Sequence, residues 1–309
     1  MKADSKAKQS IALGRARAKH TLQQRDKALK RRVKAVGAKG KTAASLPNAK
    51  RAALTRAAGG AASNGTLVAE GDSWFDYPLA DILDCLEDSH GYDVDSVAHR
   101  GDRVEDMAYA EDQLDDLVRT IERQLRRNIV PKAILLSGGG NDIAGDEFAM
   151  LLNHRLSPQH GLNESIVHGV IEERLRESYL TILSAVTEIS RARIGTPIRI
   201  VLHGYAHAVP DGRGFMGGWG PLPGPWLEPS FAKKRYPVNE RQDIVDTLID
   251  RFNAMLADVV SSKGFEHVRY VDLRDELPNG KDYKTWWANE LHPTRRGFER
   301  VADKIAGSL

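Results

Sequence analysis

Four short stretches of this 309-residue chain carry side chains that can do chemistry together. Leu67 to Asp76 reads LVAEGDSWFD, an apolar run that stops at Gly71-Asp72-Ser73. Gly101 follows in SVAHRGDRVEDM, Asn141 in GGGND and His292 in ELHPTRRGF. A serine hydroxyl is a poor nucleophile near neutral pH and needs a base within hydrogen-bond reach. Imidazole titrates near neutrality, so His292 has the chemistry to take that proton and return it to a leaving group. Attack on a carbonyl puts negative charge on its oxygen, and fixed donors must meet that charge. Each motif alone has a plainer reading: Gly101 as a turn residue, Asn141 as a helix cap, His292 as a structural histidine. Four of them in this order, at one edge of one predicted sheet, argue for a shared site.

The elements that must position these residues are legible in the hydrophobic pattern. Short β-rich apolar runs occur at Leu67–Ala69, Val94–Ala98, Ala133–Leu136, Ile198–Leu202 and Val268–Val271. Helical patterns run through Leu79–Glu87, Val104–Arg127, Ile171–Arg193, Ile244–Ser262 and from about Arg295 to Ile305. Strands alternating with helices predict a parallel sheet covered on both faces. Continuous apolar strands suit such two-sided burial. Ligand sites in these sheets gather beyond the carboxyl ends of the strands, and Ser73 directly follows the first one.

Charge divides the chain. Net charge is +3, yet the first 60 residues hold 17 Lys and Arg against Asp4 and Asp26. Beyond Gly60 there are 28 basic and 40 acidic residues. Two parts with different roles are expected: a basic N-terminal extension and linker over 1–64, and a globular domain over 65–309. Leu22, Leu29, Val33 and Val36 fall on one face of a thin amphipathic helix, and the Pro- and Gly-containing stretch Gly37 to Asn64 reads as a linker. The extension is expected to be helical or disordered. It has the charge to bind an anionic surface or an acidic partner, or to fold back on its own acidic domain. With 41% hydrophobic residues a sizeable core is expected, and no apolar run of membrane-spanning length exists. No apolar segment follows the charged start, so no secretory signal is expected. Cys85 is the single cysteine, reads as a packed core thiol, and fits a reducing, cytoplasmic setting.

From Leu67 to Leu309 the order Ser, Gly, Asn, His resembles the SGNH hydrolases, also called GDSL esterases and lipases. Gly71-Asp72-Ser73 matches the first block, with Trp74 in place of Leu; Gly138-Gly139-Gly140-Asn141-Asp142 matches the Gly-x-Asn-Asp block; His292-Pro293 matches the last. The resemblance implies a flavodoxin-like three-layer α/β/α sandwich with a mostly parallel five-stranded sheet. It implies hydrolysis of esters or amides without a metal or other cofactor, with Ser73 as nucleophile and His292 as base. It also implies an oxyanion hole made of the backbone N–H groups of Ser73 and Gly101 and the side-chain amide of Asn141.

One departure matters. The family usually carries Asp three residues before the His, and here that residue is Asn289. Asn can hold an imidazole in one tautomer through its oxygen but cannot neutralise an imidazolium. Three alternatives stand: a Ser-His dyad oriented by Asn289, a carboxylate from elsewhere such as Glu290 or Asp282, or a weakened enzyme.

The segment Gly212 to Pro229, GRGFMGGWGPLPGPWLEP, is expected either to wall a substrate pocket with Trp219 and Trp226 or to be an ordered surface loop. Trp286 and Trp287 read as packing residues. His203 and His207 straddle Gly204 at a strand end, with no carboxylate motif beside them, and are not expected to hold a metal. The expected function is a serine hydrolase cleaving an O-acyl carbohydrate or lipid-like ester through an acyl-serine intermediate. A thioesterase or amidase would use the same residues, and an inactive hydrolase fold used for binding or targeting is the alternative of a different class.

Overall fold

A computed structural model describes residues 2–38, 63–217 and 222–309. Five strands form one parallel sheet: β1 (Thr66–Gly71), β2 (Asp93–Ser96), β3 (Ala133–Ser137), β4 (Arg199–His203) and β5 (Val268–Val271). Their spatial order is β2-β1-β3-β4-β5, the flavodoxin-like order. β1 and β3 are buried at every residue because helices cover both faces, which is why they read as unbroken apolar runs. β2 is an edge strand, half-exposed, and carries Asp93 and Asp95. Charge on an edge discourages pairing with a further strand.

The principal helices are α1 (Lys2–Ala38), α2 (Ile82–Asp88), α3 (Val104–Tyr109), α4 (Glu111–Leu125), α5 (Arg176–Ile194), α6 (Val238–Val260) and α7 (Arg295–Ala306). α2 packs with α7, while α3 and α6 pack on α5. The single helix expected over Val104–Arg127 is two, broken at Ala110, whose backbone is extended. The Ala110 carbonyl accepts from the Arg17 guanidinium of α1 at 3.0 Å. α5 follows a π-helical segment, His168–Leu175, and is buried almost all round from Ser178 to Ser190. A helix buried on all sides has covering on both, and the outer cover is α1.

α1 lies along α5 at short range. A Cβ on Gly14 would come within 2.2 Å of the Thr181 carbonyl oxygen, so only glycine permits this approach. Ala18 is fully buried against Leu114 and Val118 of α4 and Ala185 and Ile189 of α5. Thr181 and Ser184 hydroxyls donate to the Ser10 and Ile11 carbonyls. Arg25 donates to buried Glu122 at 2.8 Å, and Arg193 bridges Glu122 and Asp26. The contact face is therefore a different one from the expected stripe: Val33 is 70% exposed, Leu22 packs beside Ala18, and the Val36 side chain lies outside the described residues. Close helix approach selects Ser10, Gly14, Ala18 and Thr21, small residues that a search for large apolar side chains passes over. Most of the expected linker, 39–62, lies outside the described residues. No described helix is long and apolar enough to cross a membrane.

Candidate active site

Ser73 sits in the turn that leaves β1, and His292 in the loop that enters α7. Ser73 Oγ and His292 Nε2 are 2.8 Å apart. The His292 loop is a tight hairpin in which Trp287 and Pro293 pair as an isolated bridge and the Ala288 N–H donates to the His292 carbonyl. Thr294 caps α7 by accepting from the Gly297 N–H at 3.2 Å. Trp74, at the position of the Leu of GDSL, donates its indole N–H to the Leu291 carbonyl at 3.1 Å. The larger side chain thus ties the serine turn to the histidine loop.

Asn289 fixes the imidazole. Its Oδ1 accepts from the backbone N–H groups of Leu291 and His292, at 3.0 and 2.9 Å, and lies 3.0 Å from His292 Nδ1. An atom that accepts two backbone N–H bonds is the oxygen, so Nδ1 carries the proton. The Nε2 lone pair is left facing the Ser73 hydroxyl. Asn289 Nδ2 donates to the Tyr77 hydroxyl at 2.8 Å, and the Tyr77 ring stacks on His292 at 4.2 Å and 15°. Burial pushes the His292 pKa down to about 3, with no charged neighbour to oppose it. The two carboxylates weighed as alternatives are elsewhere: Asp282 is exposed at a turn, and Glu290 faces a different segment.

Glu290 is fully buried, and its carboxylate collects four backbone N–H bonds. Oε1 accepts from Gly212 and Glu228, both at 3.0 Å, and Oε2 from Trp226 and Leu227 at 2.7 and 2.8 Å. Burial raises its pKa while these amides pull it back. Both ends of the Gly-Pro segment are thereby pinned to the histidine loop. Arg213 adds bonds to the Trp287 and Ala288 carbonyls, each at 3.1 Å. The Trp226 ring meets His292 edge to face at 5.2 Å. Trp219 lies outside the described residues.

Asn141 stands just beyond β3, its Nδ2 donating to the Asp102 carbonyl at 2.9 Å and keeping a second N–H. Gly101, one residue before Asp102, is exposed, has φ +95° and open space where a Cβ would stand. Only glycine takes this conformation readily. Neither the Ser73 nor the Gly101 backbone N–H has a hydrogen-bond partner among the described residues. Ser73, Asn141 and His292 line one cavity with about 600 Å³ of empty space, part of it open to solvent; Gly101 does not line it. The rest of the wall is mostly apolar, with Ile143, Phe148, Leu227, Val245, Leu248 and Ile249.

Three residues of the site had no role in the sequence reading. Asp72, which appears there only as the middle of Gly71-Asp72-Ser73, is 1% exposed and accepts from Trp74 N–H, Ser137 Oγ and the Tyr205 hydroxyl. Tyr205 in turn accepts from Gly140 N–H at 3.1 Å, joining the serine turn to the GGGND loop. Its place just past β4 is the signal that could have found it. Tyr77, four residues after Ser73, had only proximity to mark it. His203 is buried in an aromatic cluster with Trp74, Phe75 and Tyr205, and His207 pairs with Asp250. Cys85 is buried, and burial raises its thiol to about 11, as suits a packing residue.

The model of the GDSL-like lipase/acylhydrolase family matches residues 57–300. Among solved structures, a carbohydrate esterase family 3 protein from Talaromyces cellulolyticus is similar with TM-score 0.42 and 13% identity, over 79% of this chain and 95% of that one. A catalytic mutant of Axe2, an acetylxylan esterase from Geobacillus stearothermophilus, is similar with TM-score 0.38 and 11% identity, over 79% and 93%. No curated protein sequence matches the chain.

Proposed function

The chain belongs to the GDSL-like lipase/acylhydrolase family, and on that premise we propose that it is an esterase that uses Ser73 as nucleophile and His292 as base on esters with an apolar acyl group. The observation that carries this reading is the 2.8 Å contact of Ser73 Oγ with His292 Nε2 at the wall of an apolar cavity, with Asn289 Oδ1 placed to keep the ring proton on Nδ1. Ser73 Oγ attacks the ester carbonyl carbon as its proton passes to Nε2. The carbonyl π pair moves onto oxygen, where the N–H of Ser73, the N–H of Gly101 and the second N–H of Asn141 receive it. Collapse restores the carbonyl and breaks the bond to the alkoxy oxygen, which takes the proton from Nε2. Water then attacks the acyl-serine, giving its proton to Nε2, and a second collapse breaks the bond between the acyl carbon and Ser73 Oγ, which takes that proton back as the acid leaves.

Asn289 selects the tautomer and aims the ring, and contributes no charge. The acyl chain enters between Ile143, Phe148, Val245 and Leu248, and the alcohol leaves toward the open side. A thioester or amide would follow the same steps. Fluorophosphonate labelling with peptide mapping tests the nucleophile, and p-nitrophenyl esters from acetyl to octanoyl test the acyl pocket. Labelling at Ser73 and a kcat/KM that rises beyond acetyl are expected. A labelled Ser73→Ala protein, or a preference for acetyl, would count against the respective half.

A further inference from the structure

Proton transfer from Ser73 makes His292 an imidazolium in a place that offers it no anion. His292 is 5% exposed, and its Nδ1 partner is the neutral Asn289. Around the ring stand Ser73 on the β1 turn, Asn289 on its own loop, Trp226 from the Gly-Pro segment and Tyr77. Asp72 lines the same cavity, but its oxygens are taken by Trp74, Ser137 and Tyr205. Glu290 spends its carboxylate on four amides. One group lies flat on the imidazole: the Tyr77 ring, with centroids 4.2 Å apart and planes 15° from parallel. An aromatic face carries the negative lobe of the ring quadrupole, and a cation held over it within about 6 Å is stabilised, more so when both are desolvated.

We propose that Tyr77 is a positioning residue that does part of the work of the missing carboxylate: its π-face stabilises the His292 imidazolium while its hydroxyl holds Asn289. The inference rests on the reading of Ser73 and His292 as nucleophile and base. It accounts for how a neutral Asn serves this site. The hydroxyl accepts from Asn289 Nδ2, which keeps Asn289 Oδ1 turned toward Nδ1. The ring face acts only once the proton has reached Nε2. Its benefit therefore belongs to the transition state and should appear in kcat rather than KM.

Replacing Tyr77 by phenylalanine and then by mono-, di- and trifluorophenylalanine tests this. Fluorine drains the π-face with little change of shape. A stepwise fall in log kcat on a p-nitrophenyl ester, with KM and Tm held, is expected. Tyr77→Leu should lower kcat roughly tenfold below Tyr77→Phe, and Tyr77→Trp should recover much of it. A flat fluorine series, or a Tyr77→Leu loss carried by KM, overturns the proposal even if Leu impairs folding, because the fluorinated ring is nearly isosteric. Fluorophosphonate labelling separates the two levels. If Ser73→Ala labels as well as the parent protein, the underlying assignment fails. If Ser73 labels and the fluorine series is flat, Tyr77 alone is misassigned.

Discussion

Asn289 Oδ1 lies 3.0 Å from His292 Nδ1, in the place where a carboxylate would otherwise support the imidazole. The contact orients without neutralising. Burial, with no charged neighbour to oppose it, then holds the His292 pKa down at about 3. A depressed value means that the folded protein keeps this imidazole neutral well below the ordinary histidine value of 6.5. The acidic limb of kcat/KM on a neutral ester should therefore show no histidine titration between pH 5 and 8. A limb centred near 6.5 would contradict the dry environment of His292.

Asn289→Asp should move that limb upward. A carboxylate at this distance favours the charged imidazole by roughly 1–3 pH units. The Tyr77 hydroxyl can turn to donate to it, so the new charge has partners. Activity at pH 8 should rise or hold, while Asn289→Ala should lower kcat by about 10–100-fold through loss of the tautomer. If Asn289→Ala is harmless while Glu290→Ala and Asp282→Ala are both severe, the orienting role belongs to a carboxylate after all.

On the proposed role of Asn141 as an oxyanion donor, Asn141→Ala should lower kcat by roughly 10²–10³ with little change in KM, because such a donor meets charge that exists only after attack. Its bond to the Asp102 carbonyl brings a second effect, since losing it frees the loop that carries Gly101. Asn141→Ser, which can keep a donor nearby, should recover part of the loss. A change confined to KM would place Asn141 in ground-state binding.

The parts of this structure that were legible in the sequence share a physical reason. β1 and β3 are buried on both faces, so their apolar runs have no alternation to misread. Ser73, Asn141 and His292 lie at strand ends or a helix entry, where the chain pattern already predicts a site. The docking of α1 was not legible, because Gly14 and Ala18 make a contact by being small. The role of Glu290 was not legible either. Nothing in WWANELHP distinguishes a carboxylate that faces a histidine from one that faces four amides of a distant segment. Tyr77 acts through a ring stack, which leaves no spacing rule in the sequence.

Glu290→Gln should loosen the Gly212–Glu228 segment. An amide nitrogen in place of one oxygen would face backbone N–H donors, and a buried donor without an acceptor costs about 1–3 kcal/mol. Leu227 lines the acyl cavity and Trp226 touches His292, so both would lose their fixed positions. KM for longer acyl esters should rise about tenfold or more, with a smaller change for acetyl. Equal losses at every chain length, accompanied by a large fall in Tm, would mean that Glu290 holds the fold and not the pocket.

The basic helix α1 should show two separable properties. Its inner face is structural: a side chain on Gly14 meets the Thr181 carbonyl, and overpacking of this kind costs roughly 1–3 kcal/mol. Gly14→Val should therefore lower Tm by several degrees. Its outer face is electrostatic. Arg15, Lys19, Lys27, Lys30, Arg31 and Lys34 are exposed and make no ion pair among the described residues. Such a row has the charge to bind a polyanion, with an affinity that falls steeply as salt rises. Replacing Lys27, Lys30, Arg31 and Lys34 by Glu should abolish retention on heparin near physiological salt, and leave Tm and kcat/KM on a short soluble ester within about threefold of the parent. Those four residues are exposed and do not line the cavity, so a loss of esterase activity with Tm preserved would show that α1 reaches the active site by a route other than packing.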